Sequence, residues 1–257
     1  MKTALITGAS GGIGLDFAHI FAEKGYNVVL VARSEDKLKA LADELEGKHK
    51  IKASVMPMDL TDPQSPQALY DALQGTAIDV LVNNAGFASY GKFHELDLNK
   101  ELAMIQLNIT TLTHLTHLFM NDMVARGSGY VMNVASTAAF QPGPLMAVYY
   151  ATKAYVLHFS EAIANEVKDA GVKVTALCPG PTQSGFQSRA AMEESKLVQN
   201  GLMDSRTVAE AGVDALFAGK PFIITGMQNK MLAFSTRLMP RTTIVNIVRN
   251  TQERVSH

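Results

Sequence analysis

Short, largely β-branched apolar runs alternate with longer stretches of helical periodicity from the first residues onward, and this alternation restricts the possible folds more than any other feature of the chain. Seven runs read as strands: TALIT (3–7), NVVLVA (27–32), ASVMPM (53–58), DVLVNN (79–84), YVMNVAS (130–136), VKVTALC (172–178) and FIIT (222–225). The first, second and fourth to sixth are almost continuously apolar, as expected of strands covered on both faces. Helix signals separate them. Asp16 to Lys24 places Phe17, Ile20 and Phe21 at helical spacing and stops at Gly25. Ser34 is placed to cap the next helix, with Glu35 and Asp36 in its first turn and Leu38, Leu41 and Leu45 as its stripe. Asp62-Pro63 reads as a cap followed by a first-turn proline. Further helices are predicted over Asn99 to Ala125, Ala147 to Ala170 (ending at Gly171) and Thr207 to Ala218. The expected architecture is a doubly wound α/β sheet of seven mainly parallel strands with helices on both faces. With no repeat or linker to divide them, residues 1–257 read as one domain.

Charge and cysteine content narrow the function. A formal charge of −1 offers no basic excess to attract nucleic acid. The single cysteine, Cys178, excludes an internal disulfide, a cysteine zinc site and a redox pair, and fits a cytoplasmic protein. The opening MKTALIT is interrupted by glycine before it can serve as a signal core, and no apolar run is long enough to span a membrane. His114 and His117 have no third ligand at metal spacing, so no metal site is expected.

The turn after the first strand reads TGASGGIG and opens a helix. Gly8, Gly12 and Gly14 allow the backbone to turn tightly and approach a diphosphate, which the helix N-terminus favours electrostatically. The second strand ends in Ala32-Arg33, where a carboxylate would select the ribose hydroxyl of NAD. Arginine there, aided by Ser10, favours the 2′-phosphate of NADP(H).

The glycine spacing, G-x-x-x-G-x-G, resembles that of the short-chain dehydrogenase/reductase family, and so do Asp59-Leu60, NNAG at 83–86, Asn108, Ser136, Tyr149, Lys153 and PGPT at 179–182. The resemblance runs from Thr3 to about Gly226 and implies a Rossmann-type fold. It assigns Asp59 to the adenine, Leu60 and Ile13 to cofactor binding, and Asn83, Ala85 and Gly86 to the flank of the cofactor. Pro179, Gly180 and Thr182 would border the nicotinamide. The tail and the VLVAR strand end resemble the reductase branch containing proteins named DltE-like.

The stretch VYYATK offers two phenols to one lysine. Tyr149 precedes Lys153 by four residues and Tyr150 by three, and both spacings make helix neighbours. The family pattern Tyr-x-x-x-Lys selects Tyr149 and leaves Tyr150 to packing or a subunit surface. Reduction of a carbonyl leaves negative charge on oxygen, which needs a positioned acid. A free phenol, with a pKa of about 10, is too weak an acid near neutrality. A nearby ammonium is expected to lower it, and Lys153 would supply that charge and hold the nicotinamide ribose. Ser136 would bond the substrate oxygen, and the resemblance places Asn108 in a water relay behind the lysine.

These residues predict an NADPH-dependent oxidoreductase that reduces a ketone or aldehyde, or runs the reverse reaction. The alternative is a catalytically idle NADP-binding regulator or scaffold, whose mark would be loss of one of the four catalytic residues. The substrate pocket is expected from Ala138 to Met146, Thr182 to Ser205 and Phe87 to Phe93, with Phe186 and PLMA leaning towards an apolar compound. Polar, aperiodic residues 181–205 read as a substrate lid. Cys178 and Tyr150 read as packing residues. A homodimer or homotetramer is expected through the two long helices. The C-terminal extension, 227–257, carries an Ile244, Ile247, Val248 stripe together with Arg237, Arg241 and Arg249. It reads as a lid or oligomer arm, with membrane-surface contact as the less favoured alternative.

Overall fold

Successive residues of the first strand, β1 (Thr3–Thr7), face opposite ways, and every one is buried. In the computed structural model, which describes residues 1–186, 190, 192 and 201–253, Ala4 and Ile6 enter a core with Phe17, Phe21, Leu38 and Leu45. Leu5 enters a second core on the opposite face with Leu69, Leu115, Phe119 and Met123. The two cores explain the almost continuous apolar character of the central strands.

The remaining strands are β2 (Asn27–Ala32), β3 (Ala53–Pro57), β4 (Val80–Asn83), β5 (Gly129–Val134), β6 (Val172–Cys178) and β7 (Phe222–Ile224). They pair in the order β3-β2-β1-β4-β5-β6-β7, and all six pairings are parallel. The chain runs outward from β1 to β3, then returns to lay β4 against β1. That reversal opens a crevice at the carboxyl ends of β1 and β4, where open α/β sheets bind ligands. Thr7 ties the two ends together: its hydroxyl donates to the Val82 carbonyl at 3.2 Å and accepts from the Asn84 and Ala85 amides at 3.0 Å.

One face of the sheet carries α1 (Gly12–Glu23), α2 (Glu35–Lys48) and α7 (Ser205–Phe217). The other carries α3 (Ser65–Ala72) and a long helical rod. Arg206 of α7 clamps Glu23 of α1 with two hydrogen bonds, at 3.0 and 2.5 Å. Helix α6 (Ala147–Glu166) is followed by a short 3-10 turn and Gly171 in the left-handed region. After β7 come α8 (Met227–Ser235) and α9 (Arg241–Gln252). Among the described residues no helix is long and apolar enough to cross a membrane.

Several helix starts differ from the sequence expectation. Asp62 closes a turn, its carboxylate accepting from the Gln64 amide at 2.9 Å, and α3 begins at Ser65 with Pro66 rather than Pro63 in its first turn. Ser34 occupies the position before α2 but makes no side-chain cap hydrogen bond. The α7 cap is Asp204, whose carboxylate accepts from the Thr207 amide at 2.8 Å. The rod expected over 99–125 consists of α4 (Leu98–Ile105), a π-helical segment (Gln106–Thr111) and α5 (Leu112–Ala125).

Candidate active site

The glycine turn is shaped by close packing. Gly8 (φ +69°) and Gly12 (φ +56°) lie in the left-handed region. A Cβ on Gly14 would stand 2.2 Å from the Gly8 carbonyl oxygen, so α1 rests directly on the turn. The N-terminus of α1 has no side-chain cap, and Gly11, Gly12 and Ile13 line a cavity of about 1000 Å³. Its first-turn amides are therefore available to an anion. A Cβ on Gly11 would meet nothing within 4 Å, which leaves room for a ligand to approach the backbone.

Gly8, Ser10, Arg33, Asp59, Leu60, Ala85 and Gly86 line the same cavity. Ser34 and Lys37, which the sequence reading missed, also line it and place a second cation beside Arg33. Glu35, one residue from this rim, pairs with Lys39 at 2.7 Å. Asp59 accepts from the Thr61 amide and hydroxyl at 3.0 and 2.8 Å, and these bonds hold its carboxyl below the usual range. Asn83 is placed differently. Its side chain turns into the sheet, where it donates to Thr116 and Asn133, both at 2.9 Å. Asn84 faces the cavity instead and braces the glycine turn through the Thr7 and Gly8 carbonyls at 2.9 and 3.3 Å.

Ser136, Tyr149 and Lys153 meet on this cavity beside Pro179, Gly180 and Thr182. Helix α6 presents Tyr149 and Lys153 one turn apart, and Ser136 leaves the end of β5. The Ser136 hydroxyl accepts from the Ala138 amide at 3.1 Å and donates to the Pro179 carbonyl at 3.4 Å. Lys153 donates to the Val134 carbonyl at 2.7 Å and lies 5.8 Å from the centre of the Tyr149 ring. Burial lowers the Lys153 amine to about 8. The sequence reading expected the lysine to depress the phenol, but Tyr149 is shifted upward. Its burial outweighs hydrogen bonding from Ser136, and Lys153 sits against the ring face. Tyr149 is therefore a neutral donor in this state.

Asn108 lies behind these residues, 1% exposed, within the π-helical segment. It donates to the Phe87 carbonyl at 3.1 Å and the Thr152 hydroxyl at 3.2 Å, and accepts from the Phe87 amide at 3.3 Å. A Cβ on Gly86 would come within 3.0 Å of its oxygen and 3.7 Å of the Lys153 amine, so glycine lets both approach this backbone. Cys178 is buried in the sheet, and burial pushes its thiol up to about 12, unlike a nucleophile.

Tyr150 is buried and packs, the first of its two expected places. It lies in the cavity wall rather than on a subunit surface, with its ring over Gly143, where a Cβ would stand 2.2 Å from the Tyr150 ring. Its hydroxyl accepts a 2.5 Å hydrogen bond from Gln252 at the end of α9. Phe186 packs against Tyr149 with ring centroids 5.3 Å apart, and Met192 is buried in the same cluster. The ends of the expected lid are stapled by Gln183 N to Met203 O and Met203 N to Pro181 O, both 2.9 Å. The rest of that expectation, residues 187–189, 191 and 193–200, lies outside the described residues.

A family profile described as short chain dehydrogenase matches residues 2–195. Very-long-chain 3-oxoacyl-CoA reductase-A of Danio rerio is 34% identical over 69% of this chain, and the match spans 57% of that relative's length. Ketoacyl reductase HetN of Nostoc sp. is 32% identical over 93% of this chain and 83% of its own. The structure of a short-chain dehydrogenase from Sphingobium yanoikuyae in complex with NADPH superposes with a TM-score of 0.84 at 31% identity, covering 93% of this chain and 94% of that one.

Proposed function

The chain belongs to the short-chain dehydrogenase family, and from that premise we propose that it is an NADP(H)-dependent oxidoreductase interconverting an apolar ketone or aldehyde and its alcohol. The observation that carries the reading is convergence. Ser136, Tyr149 and Lys153 share one cavity with the glycine turn, although their strands and helices are far apart in sequence. The groove suits a dinucleotide in three respects: an uncapped helix N-terminus, glycines that admit close backbone approach, and Arg33 with Lys37 at the rim for a 2′-phosphate. The complex of the Sphingobium yanoikuyae relative with NADPH supports the same choice.

When bound, the nicotinamide supplies or accepts the hydride. The chain does the rest. Ser136 and Tyr149 donate hydrogen bonds to the carbonyl oxygen, and Tyr149 passes it a proton as negative charge develops there. Lys153 holds positive charge beside the ring and stabilises the phenolate left behind. Asn108 is a positioning residue that fixes the Phe87 and Thr152 backbone and side chain flanking Lys153. Phe186, Met146 and Met192 supply an apolar wall that excludes water. With Asn108, Ser136, Tyr149 and Lys153 all in place, the mark of an idle regulator is missing.

We assign the enzyme to the cytoplasm, consistent with its single buried cysteine. We also assign it a homo-oligomeric state built on α4, α5 and α6, whose outer surface exposes Leu98, Leu102, Ile105 and Tyr155. The test is consumption of NADPH, and separately NADH, against a panel of apolar ketones and aldehydes with the Tyr149→Phe protein in parallel. Turnover with NADPH that is lost in the variant supports the assignment. Tight NADPH binding without turnover of any carbonyl would instead favour the regulator.

A further inference from the structure

Helix α9 walls one side of the cavity that holds Ser136, Tyr149 and Lys153, and it does so on a thin seat. Ile244, Ile247, Val248 and Thr251 follow helical spacing and line that cavity. Val248 packs on the cluster that contains Met146, Tyr149 and Tyr150. Yet of the twelve residues of α9 only Ile244 and Gln252 are buried. A helix with so little buried apolar surface opens readily unless its end is held. Two tyrosines hold it. The last carbonyls of a helix lack intrahelical donors, and the Tyr90 hydroxyl supplies one, donating to the Gln252 backbone carbonyl at 2.6 Å. The Gln252 amide nitrogen donates to the Tyr150 hydroxyl at 2.5 Å. Turning the amide over keeps this bond with the hydroxyl as donor, so the tie does not depend on which pole faces Tyr150.

Tyr150 follows Tyr149 on α6, with the two ring centroids 6.1 Å apart. The bond to Gln252 therefore ties α9 to the helix that carries the proton donor. The other pole of the Gln252 amide is buried without a hydrogen-bond partner. The closed wall thus carries the cost of one unpaired polar atom, which water would relieve if α9 lifted, and the balance between closed and open is narrow. We propose that Tyr150 is a positioning residue that latches α9 over the substrate, so that breaking its bond to Gln252 opens the substrate wall and leaves the chemistry intact. The inference deepens the carbonyl-reductase reading and rests on it. An apolar ketone enters when α9 lifts, and its contact with Ile244 and Val248 closes the wall and excludes water from the reacting carbon.

The test follows Tyr150→Phe, and the same protein carrying Gln252→Met as well, by amide hydrogen exchange across residues 241–252 and by kinetics with saturating NADPH and an apolar ketone. Tyr150→Phe leaves the buried amide unpaired at both poles, so exchange in α9 should quicken about tenfold. KM for the ketone should rise about three- to tenfold, since only the closed fraction binds, while kcat does not fall. Adding Gln252→Met removes the stranded amide and should return exchange and KM to the unmodified level, because replacing both partners of a buried bond by apolar groups is nearly neutral. If the double variant does not fold, Tyr150→Phe carries the test through exchange and the split between KM and kcat. Unchanged exchange in α9 overturns the latch, and faster exchange with unchanged KM overturns its role in substrate binding. A fall in kcat at constant KM, or a folded double variant that restores nothing, overturns it too, since Tyr150 would then act on Tyr149. Each of these results leaves the reductase standing. Failure of every ketone to oxidise NADPH overturns the reductase reading itself, and the substrate role of the latch with it.

Discussion

Lys153 holds its amine where water cannot hydrate it, and that placement has consequences for both rate and stability. Its folded pKa of about 8 lies below the ordinary 10.5. Between those values the unfolded chain binds a proton that the native chain does not, so stability rises as pH climbs from 8 to 10.5 and is lowest below 8. The shift corresponds to about 3 kcal/mol of destabilisation at neutral pH, offset by roughly 1 kcal/mol from the bond to Val134. Lys153→Met should therefore abolish turnover and still raise the melting temperature at pH 7, with the gain vanishing near pH 10.5. A lower melting temperature at pH 7 would refute the argument. The same titration predicts that kcat/KM for reduction is level up to about pH 8 and falls above it, since this quantity reports the free enzyme. A profile still level at pH 10 would exclude Lys153 as the required charge. Arg33 is a second residue with a measurable role. Arg33→Ala should raise KM for NADPH about ten- to a hundredfold, as expected on loss of charge-assisted hydrogen bonds, and leave KM for NADH little changed.

Helix α1 shows how an element builds the cofactor groove. Gly14 lets its first turn rest on Gly8, and Gly14→Ala would drive a methyl group to 2.2 Å from a backbone oxygen. The helix must then move away from the turn, with a loss of about 1–3 kcal/mol from overpacking. Calorimetric titration with NADPH should show affinity falling by far more than in Gly47→Ala, on α2 and away from the cavity, where the added methyl meets no protein atom. Elements of this kind were legible in the sequence, because strand runs and glycine spacing are local patterns. Local pattern also carried Tyr149 and Lys153, four residues apart on one helix. Features set by distant packing were not legible. Tyr150 is drawn into the cavity by Gln252, 102 residues away, and nothing near Tyr150 announces that contact. At the end of β4, adjacent residues point to opposite faces, so choosing Asn83 over Asn84 for the cavity depended on one residue of register. The π-helical segment around Asn108 preserves the apolar spacing of an ordinary helix and leaves no sequence mark. The direction of the Tyr149 shift depended on burial, which spacing alone does not measure.

At the scale of the whole molecule, two apolar surfaces are exposed among the described residues, and they predict different assemblies. On α4, Leu98 (61% exposed), Leu102 (53%) and Ile105 (37%) form one stripe at helical spacing. It continues onto α6 through Tyr155, which stacks on Phe159 and meets Thr113 of α5 at 2.9 Å. The second surface, on and after α8, comprises Met227, Met231, Leu232, Phe234 and Leu238, each more than 60% exposed, near Lys230, Arg237 and Arg241. The α4–α6 surface is the broader seat for a second copy, since two parallel rods with their own internal contacts present a rigid face. A net charge of −1 gives copies little reason to repel. Light scattering after size exclusion should find a dimer or tetramer at micromolar concentration, and Leu102→Asp with Ile105→Asp should release folded monomer, because each interface would then bury unpaired carboxylates. Met231→Asp with Leu238→Asp should leave the mass unchanged. The opposite pattern would move the interface to the C-terminal arm. If both double variants keep the native mass while the second abolishes co-sedimentation with anionic liposomes, the arm is a membrane contact, and its position beside Leu232 at the cavity rim would route lipid-borne carbonyls to Tyr149.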